Sequence, residues 1–370
     1  MQFSQIQGSA IQTVAKWANS KGGPQVMRLF GYAGTGKTTV AKAIAEEVKG
    51  TVLFGAFTGK ASLVMRKKGC NNAGTLHSLI YKQDEDAPPG PHPKFILNPE
   101  SSLRYCRLLI VDECSMVGMD LGNDLLSFHR KILVLGDPAQ LQPVNGEGFF
   151  CAPGVTPDIM LTEVHRAAAE SPIIQLSMAL REGKRLQYGT YGDSCIIERK
   201  HLGQKRVLES DIVLCGMNRT RINLNEKIRK LKGINNPFPV VGDKLICLKN
   251  DKELQMYNGS IWTAEKAAEP DRNGLVALTV TTTDDPLIDY PVEVLVPEKY
   301  FLGREKELHW QEKLGIQEMY YGNAITCHKA QGSEWEHVVV FDEGGIFRQD
   351  AWRWRYTAIT RASERFTMIM

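Results

Sequence analysis

A glycine-rich turn followed by a lysine and two hydroxyls is the chemical centre of this sequence. Gly31-Tyr-Ala-Gly34-Thr35-Gly36-Lys37-Thr38-Thr39 fills the pattern G-x-x-x-x-G-K-[ST] without a gap. A short apolar run, Val26 to Phe30, precedes it, and an alanine-rich helical stretch from about Thr39 to Val48 follows. Strand, loop and helix are the context that the pattern needs. The glycines let backbone N–H groups turn inward on a phosphate, and the helix N-terminus adds its partial positive charge. Lys37 is placed to reach the β- and γ-phosphates, and the Thr38 hydroxyl to coordinate Mg²⁺. The sequence therefore binds a nucleoside triphosphate, with Gly34, Thr35, Gly36, Lys37, Thr38 and Thr39 around its phosphates.

Two further polar groups stand at the ends of apolar runs. Arg107-Leu-Leu-Ile-Val111 ends in Asp112-Glu113; downstream of a phosphate loop, Asp112 is read as a Mg²⁺ holder and Glu113 as the group that polarises the attacking water. Lys131-Ile-Leu-Val-Leu135 ends in Gly136-Asp-Pro-Ala-Gln140, and Gln140 can donate to a γ-phosphate or orient water. An acidic pair after a strand also serves as a plain helix cap, and a loop glutamine as a solvated amide; the phosphate loop upstream favours the chemical reading. Phosphoryl transfer is completed by arginine, whose planar fork neutralises the charge that develops on the transferring group. Arg166, in Leu161-Thr-Glu-Val-His-Arg166, and Arg361, in Tyr356-Thr-Ala-Ile-Thr-Arg361-Ala362, are the candidates.

The elements that position these groups are legible as alternating apolar strands and helices. Val52-Leu-Phe-Gly-Ala56 is another continuous apolar run, and a helix begins before Ile11 and heads towards Trp17. Such runs, with polar residues at their C-terminal ends, indicate a parallel sheet covered on both faces, and ligands bind at those ends. Residues 81–104 break the rhythm with a turn-rich Asp-Glu-Asp-Ala-Pro-Pro-Gly-Pro-His-Pro segment, and Lys94-Phe-Ile-Leu97 reads as one arm of a hairpin. From about Phe238 to Leu302 the pattern alternates with period two, as in Ala277–Thr283 and Val292–Val296, which indicates a small β-rich insertion of barrel type. The α/β pattern resumes near Gly322.

Composition sets the outer bounds. A chain of 370 residues exceeds one comfortable core, so two or three domains are expected. Its 43% apolar and 24% charged content is that of a soluble globular protein. The net charge of +3 decides little, but residues 199–232 hold ten Lys or Arg against three Asp or Glu; that stretch reads equally as a nucleic-acid-facing surface or a solvated helix face. The eight cysteines show no C-x-x-C pair and no metal spacing, as expected in a reducing cytoplasm. No apolar run approaches the ~18 residues of a membrane span, and the N-terminus lacks a signal pattern, so neither a membrane nor export is expected.

Taken in order, these motifs resemble those of superfamily 1 helicases, and within them the RecD-like and phage Dda-like group. Gln7 matches the adenine-reading glutamine, Gly31–Thr39 the first motif, and Thr58-Gly59-Lys60 and Thr75-Leu76-His77 the pair that contacts single strands. Asp112-Glu113-Cys114-Ser115-Met116 resembles the Mg²⁺ motif, and Gly136-Asp137-Pro138-Ala139-Gln140-Leu141-Gln142-Pro143-Val144 the γ-phosphate sensor. Thr326-Cys327-His328-Lys329-Ala330-Gln331-Gly332-Ser333-Glu334 and Tyr356–Ala362 resemble the last two motifs. Phe57, Cys114 and Cys327 depart from the usual proline, alanine and valine, and none of these touches a catalytic group.

The resemblance implies an α/β fold of two RecA-like P-loop domains. Residues 1–160 would form the first, carrying a pin-like hairpin at about 81–104. Residues 161–237 and 316–370 would form the second, interrupted at 238–315 by an SH3-like β-rich module. It implies an ATP-dependent DNA helicase or translocase that moves 5′→3′ on single-stranded DNA and meets single/double-strand junctions, with ATP and Mg²⁺ as cofactors. Lys37, Glu113, Gln140, Arg166 and Arg361 would be catalytic, the two arginines as fingers from the second domain. Gln7, Gly332 and Glu334 would join the phosphate loop in holding ATP, with Thr38 and Asp112 on the metal. Thr58, Lys60, His77, Thr326, His328 and Lys329 would hold DNA. A monomer in a bacterial or phage-infected cytoplasm, working beside single-strand-binding or replication and recombination proteins, is the implied setting. Two alternatives stand: a viral-type superfamily 1 RNA helicase, and an ATP-dependent DNA-binding subunit of a larger recombination or repair complex. No nuclease constellation is present in the sequence.

Overall fold

The computed structural model describes residues 3–87, 94–142, 146, 148–152, 154–164, 170–285 and 288–370. The first helix, Gln5–Asn19, starts where Ser4 and Gln7 close a capping box, each side chain bonding the other's backbone. It packs on a sheet built from β1 (Val26–Gly31), β2 (Val52–Ala56) and β3 (Ala73–Thr75). The chain then leaves through a short pair, β4 (Tyr81–Gln83) and β5 (Phe95–Leu97), and returns as β6 (Leu108–Asp112), β7 (Lys131–Gly136) and β8 (Ile159–Leu161). The order is β3-β2-β6-β7-β1-β8, parallel throughout. Every residue of β2 is buried, because helices cover both faces; that is why these strands read as unbroken apolar runs rather than alternations. Leu29, Ile110, Leu133 and Leu135 pack on one face, and Leu109, Val111, Ile132 and Val134 on the other. Burying each such side chain contributes about 1.5–3 kcal/mol.

The hairpin β4–β5 is antiparallel, with Tyr81 opposite Leu97. It carries Phe95, Ile96 and Leu97 exposed on its second strand. The turn between its arms, residues 88–93, lies outside the described residues.

A second sheet begins with β9 (Gly189–Tyr191), β10 (Ser194–Ile197) and β11 (Ile212–Cys215). It is interrupted by β12 (Lys244–Cys247), β13 (Ile261–Ala267), β14 (Leu275–Thr281), β15 (Val292–Pro297) and β16 (Met319–Tyr321). It is completed by β17 (Ala324–Thr326), β18 (Trp335–Phe341) and β19 (Ala362–Ile369). The second sheet runs β17-β11-β18-β19-β10-β9, parallel but for the β9 edge. The interrupting strands form an antiparallel sheet, β15-β14-β13-β12-β16. One backbone bond, from Gln317 N–H to the Leu295 carbonyl, ties the approach to β16 back to β15 and curls the sheet. Trp262, Val276, Val280 and Val296 fill the inside of that curl.

Two boundaries differ from the sequence reading. β8 reaches Leu161 on the first sheet, beyond residue 160. β16 belongs to the inserted module, beyond residue 315, because it pairs with β12 at Leu245–Tyr321. Both strands are three residues long, too short for a period to show. Among the described residues all eight cysteines are free and buried, and no helix is long and apolar enough to cross a membrane.

Candidate active site

β1 delivers the chain into the glycine loop, and the geometry there needs glycine. Gly34 and Gly36 sit at φ 78° and 76°, in the left-handed region that side chains avoid. A Cβ on Gly31 would stand 2.6 Å from Thr35 Oγ1 and 3.0 Å from Leu161 Cβ. The helix Lys37–Glu47 then opens with no side-chain cap, leaving its first N–H groups for an anion. Lys37 Nζ donates to the carbonyls of Gly31 (2.8 Å) and Tyr32 (3.1 Å), which hold the ammonium over the loop.

The neighbouring strand ends converge on the same place. Thr38 Oγ1 lies 3.4 Å from Asp112 Oδ2 at the end of β6. Desolvation, and then the adjacent Glu113, push the Asp112 carboxyl up to about 6, so the strand end stores a demand for positive charge. Two hard oxygens in this setting fit Mg²⁺, which takes one or two protein oxygens and keeps several waters. Glu113 is held at φ 52°, a costly conformation for a side-chain-bearing residue. Gln140 is buried, and its Oε1 has no hydrogen-bond partner among the described residues.

From the second sheet come Gly332, Glu334 and Arg361. Gly332 has φ 74°, and a Cβ there would stand 2.8 Å from Ala61 Cβ of the first domain. The Arg361 guanidinium is buried and rests on the Thr357 and Ser333 carbonyls (both 3.1 Å) and on Thr360 Oγ1 (3.3 Å), all within its own domain. Lys37, Thr38, Thr39, Asp112, Glu113 and Gln140 share one cleft of about 670 Å³ with Gly332, Glu334 and Arg361. Gly34 and Gly36 line it too, whereas Thr35 is fully buried behind the loop. Gln7 Oε1 accepts from Ser4 N in the capping box, and its Nε2 donates to the Thr35 carbonyl (3.0 Å), so it braces the glycine loop. Arg166 lies outside the described residues.

A second, narrower cleft of about 300 Å³ gathers Thr58, Lys60, His77, His328 and Lys329, together with Asn258. Burial lowers the pKa of both histidines, which favours neutral rings. His77 packs edge-on to Phe57 at 5.7 Å between ring centres, and His328 tilts against Phe347 at 5.4 Å. Thr58 spends its hydroxyl capping the helix Gly59–Lys67, accepting from Ala61 N (3.1 Å). Lys60, expected among the DNA contacts, is buried in an ion pair with Asp284 of the inserted module. Lys329 donates to Asn258 Oδ1. Thr326 is not in this cleft; it faces an adjoining one and accepts from Lys329 N (3.4 Å).

The AAA domain family matches residues 3–200, just over half of the chain, and the UvrD-like helicase C-terminal domain matches residues 321–369. The chain belongs to the AAA domain family. It is similar to the ATP-dependent RecD2 DNA helicase of Deinococcus radiodurans, 28% identical over 370 residues, which cover 93% of this chain and 47% of that protein. It is similar also to the ATP-dependent DNA helicase dda of Enterobacteria phage T4, 34% identical over 170 residues, or 42% of this chain and 37% of that one. The chain spans about half, or less, of the length of these curated relatives. Its fold is that of a Bacteroides Pif1 helicase solved with ADP-AlF3 and single-stranded DNA, at TM-score 0.59 and 17% identity, covering 99% of this chain and 92% of that one.

Several residues of this AAA-family site were given no role by the sequence reading. Tyr356, fully buried in the second domain, accepts from Ala33 N of the glycine loop (3.0 Å) and donates to Asp137 Oδ2 (2.6 Å). It therefore joins the loop, the β7 end and the second domain at one oxygen. Arg181, at the end of the helix Pro172–Arg181, stacks 3.4 Å from the centre of the Tyr32 ring. Lys68 lines the ATP cleft near Asp112. These contacts are made by residues far apart in the chain, and only Tyr356 stood inside a motif.

Proposed function

We propose that the chain is an ATP-driven motor that moves 5′→3′ along single-stranded DNA and separates duplexes at single/double-strand junctions. The observation that carries this reading is the cleft in which Lys37, Asp112, Glu113 and Gln140 of one parallel sheet face Arg361 of the other. Lys37 and the loop amides bind the phosphates; Glu113 takes the proton of the attacking water, and Gln140 orients that water. Arg361 leaves its own carbonyls to neutralise charge on the γ-phosphate, a contribution on the order of 10³–10⁵ in rate for arginine fingers. Thr38 and Asp112 would hold Mg²⁺, which would supply neutralisation of phosphate charge. Arg166 is proposed as a second finger. Glu334 meets the ribose.

Movement follows from the contacts between domains. Gly332 against Ala61, and Tyr356 between Ala33 and Asp137, are the contacts that closure of the cleft would move. His77 of the first domain and His328 of the second both line the second cleft, so closure and reopening would shift them relative to each other and alternate the grip on the strand. The exposed Phe95 and Ile96 of the hairpin serve as the pin that parts the duplex. The protein acts as a cytoplasmic monomer beside other replication, repair or recombination proteins.

The test is steady-state ATP turnover with no nucleic acid, with a single DNA strand, and with the matched RNA strand. DNA-specific stimulation supports the motor. Equal or greater stimulation by RNA moves the chain to the RNA helicases, and tight binding without turnover leaves an ATP-locked subunit.

A further inference from the structure

The hairpin β4–β5 is held to the rest of the molecule unevenly. Its arms are three residues long and pair at Tyr81–Leu97, Lys82–Ile96 and Gln83–Phe95. A two-stranded ribbon of that size is at best marginally stable alone in water, so its direction depends on what its arms touch. The second arm has little cover: Phe95, Ile96 and Leu97 are 60%, 42% and 39% exposed. On the first arm Lys82 and Gln83 are exposed too. Asn98 N donates to the Ile80 carbonyl (2.8 Å) and closes the base of the ribbon. The remaining attachment is concentrated at Tyr81, where the first arm begins.

Tyr81 is fixed in two directions. It follows the short helix Leu76–Ile80 directly, and its N–H donates to the His77 carbonyl. The two rings, one helical turn apart, meet at 40° with 5.8 Å between their centres. His77 lines the second cleft, so this contact ties the hairpin to that cleft. In the other direction the Tyr81 hydroxyl donates to Asp124 Oδ2. Asp124 stands on the helix Met119–Ser127, whose Leu121 and Leu125 are buried in the first domain's core. That helix is itself closely packed, since a Cβ on Gly122 would stand 2.3 Å from the Phe149 ring. Burial, and then the Asp124 carboxylate, push the Tyr81 hydroxyl up, so it keeps its proton and donates. A hydroxyl bonded to a carboxylate is among the stronger hydrogen bonds in proteins.

A wedge parts base pairs only if it keeps its place while the strand is drawn past it. We infer that Tyr81 is a positioning residue for unwinding. Its bond to Asp124 fixes the angle of the hairpin to the His77 cleft, so a strand drawn past His77 drives the junction against Phe95 and Ile96 instead of swinging the ribbon aside. Without the bond the chain still hydrolyses ATP on a single strand, but fewer base pairs open per ATP. A tie that served only the stability of the fold would lower the unfolding midpoint and leave that ratio unchanged. The inference rests on the reading of the chain as a motor with β4–β5 as its pin.

The test measures base pairs opened per ATP hydrolysed, on the tailed duplex that the native protein opens, for Tyr81→Phe, Asp124→Leu and Asp124→Asn. Tyr81→Phe removes the hydroxyl and keeps the ring on His77. Asp124→Asn keeps an acceptor oxygen, and Asp124→Leu does not. ATP turnover stimulated by a single strand should stay native in all three. Base pairs opened per ATP should fall about tenfold in Tyr81→Phe and Asp124→Leu, as the loss of a hydrogen bond to a charged group implies, and less than about twofold in Asp124→Asn. A native ratio in Tyr81→Phe and Asp124→Leu would overturn the inference and leave the pair a tie for stability. Equal losses in Asp124→Asn and Asp124→Leu, or ATP turnover falling together with unwinding, would overturn it as well. Phe95→Ser is the control on the pin and should lower the same ratio. If the native protein opens no duplex, or Phe95→Ser keeps the native ratio, the motor or pin reading has failed and the inference falls with it. Failure of the inference alone leaves both of those controls intact, so the two failures are distinguishable.

Discussion

Two of the helices that start at the end of a buried parallel strand have N-termini that meet opposite fates. The helix Lys37–Glu47 after β1 opens from the left-handed Gly36 with no side chain across its entrance. The helix Asn218–Leu231 after β11 is closed by the protein's own carboxylate. Glu343 Oε2 accepts from Gly216 N (2.6 Å) and Met217 N (3.0 Å), and its Oε1 accepts from Thr220 Oγ1 (2.6 Å). A strand–helix junction is an anion site wherever its amides are left free. The first domain leaves that site open, while the second fills it with Glu343. In the proposed motor the second domain would therefore bring Arg361 and Glu334, which line the cleft, to a nucleotide held by the first.

The largest expected effect breaks the open site. Lys37→Ala should abolish ATP turnover while the thermal midpoint stays native; appreciable residual hydrolysis would show that this loop is not the nucleotide site. Next, Arg361→Ala removes the second domain's contribution. Its kcat should fall by about 10³ or more, with ATP affinity, measured by a fluorescent analogue, near native. A fall in affinity with unchanged kcat would make Arg361 a binding group alone.

Gly332→Ala sharpens the contact between the domains. A left-handed non-glycine costs about 1–2 kcal/mol, and the new Cβ would press on Ala61, 2.8 Å away. Turnover should drop about tenfold, which corresponds to about 1.4 kcal/mol in the barrier. Smallest is the effect of Glu343→Ala. Losing the carboxylate that bonds two amides and a hydroxyl should lower stability by about 1–3 kcal/mol, read as a lower urea midpoint. Isothermal titration should still give one ATP per chain; a second bound nucleotide would mean that Glu343 alone keeps the second junction closed.

What was legible in the sequence was local. The glycine loop, the acidic pair after β6 and Gln140 after β7 sit on consecutive residues, and the parallel sheet brings strand ends together whatever lies between them. The two halves of the α/β pattern and the hairpin arm at Phe95–Leu97 were legible for the same reason. Contacts across the chain were not. Lys60 carries a motif lysine's signature, yet its partner Asp284 lies in another module. Gln7 meets the Thr35 carbonyl far along the chain, which no local spacing reveals. β16 is Met-Tyr-Tyr, a strand defined only by its pairing with β12. The Glu343 plug is likewise a carboxylate from the end of β18 that meets a distant helix.

The account's central claim is that closing one cleft on ATP drives the chain along a single strand. Strand displacement on two partial duplexes, one with a 5′ tail and one with a 3′ tail, each with and without ATP, tests it most directly. The account predicts ATP-dependent unwinding of the 5′-tailed duplex and little of the other. Unwinding from the 3′ tail, or displacement that does not need ATP, would contradict it.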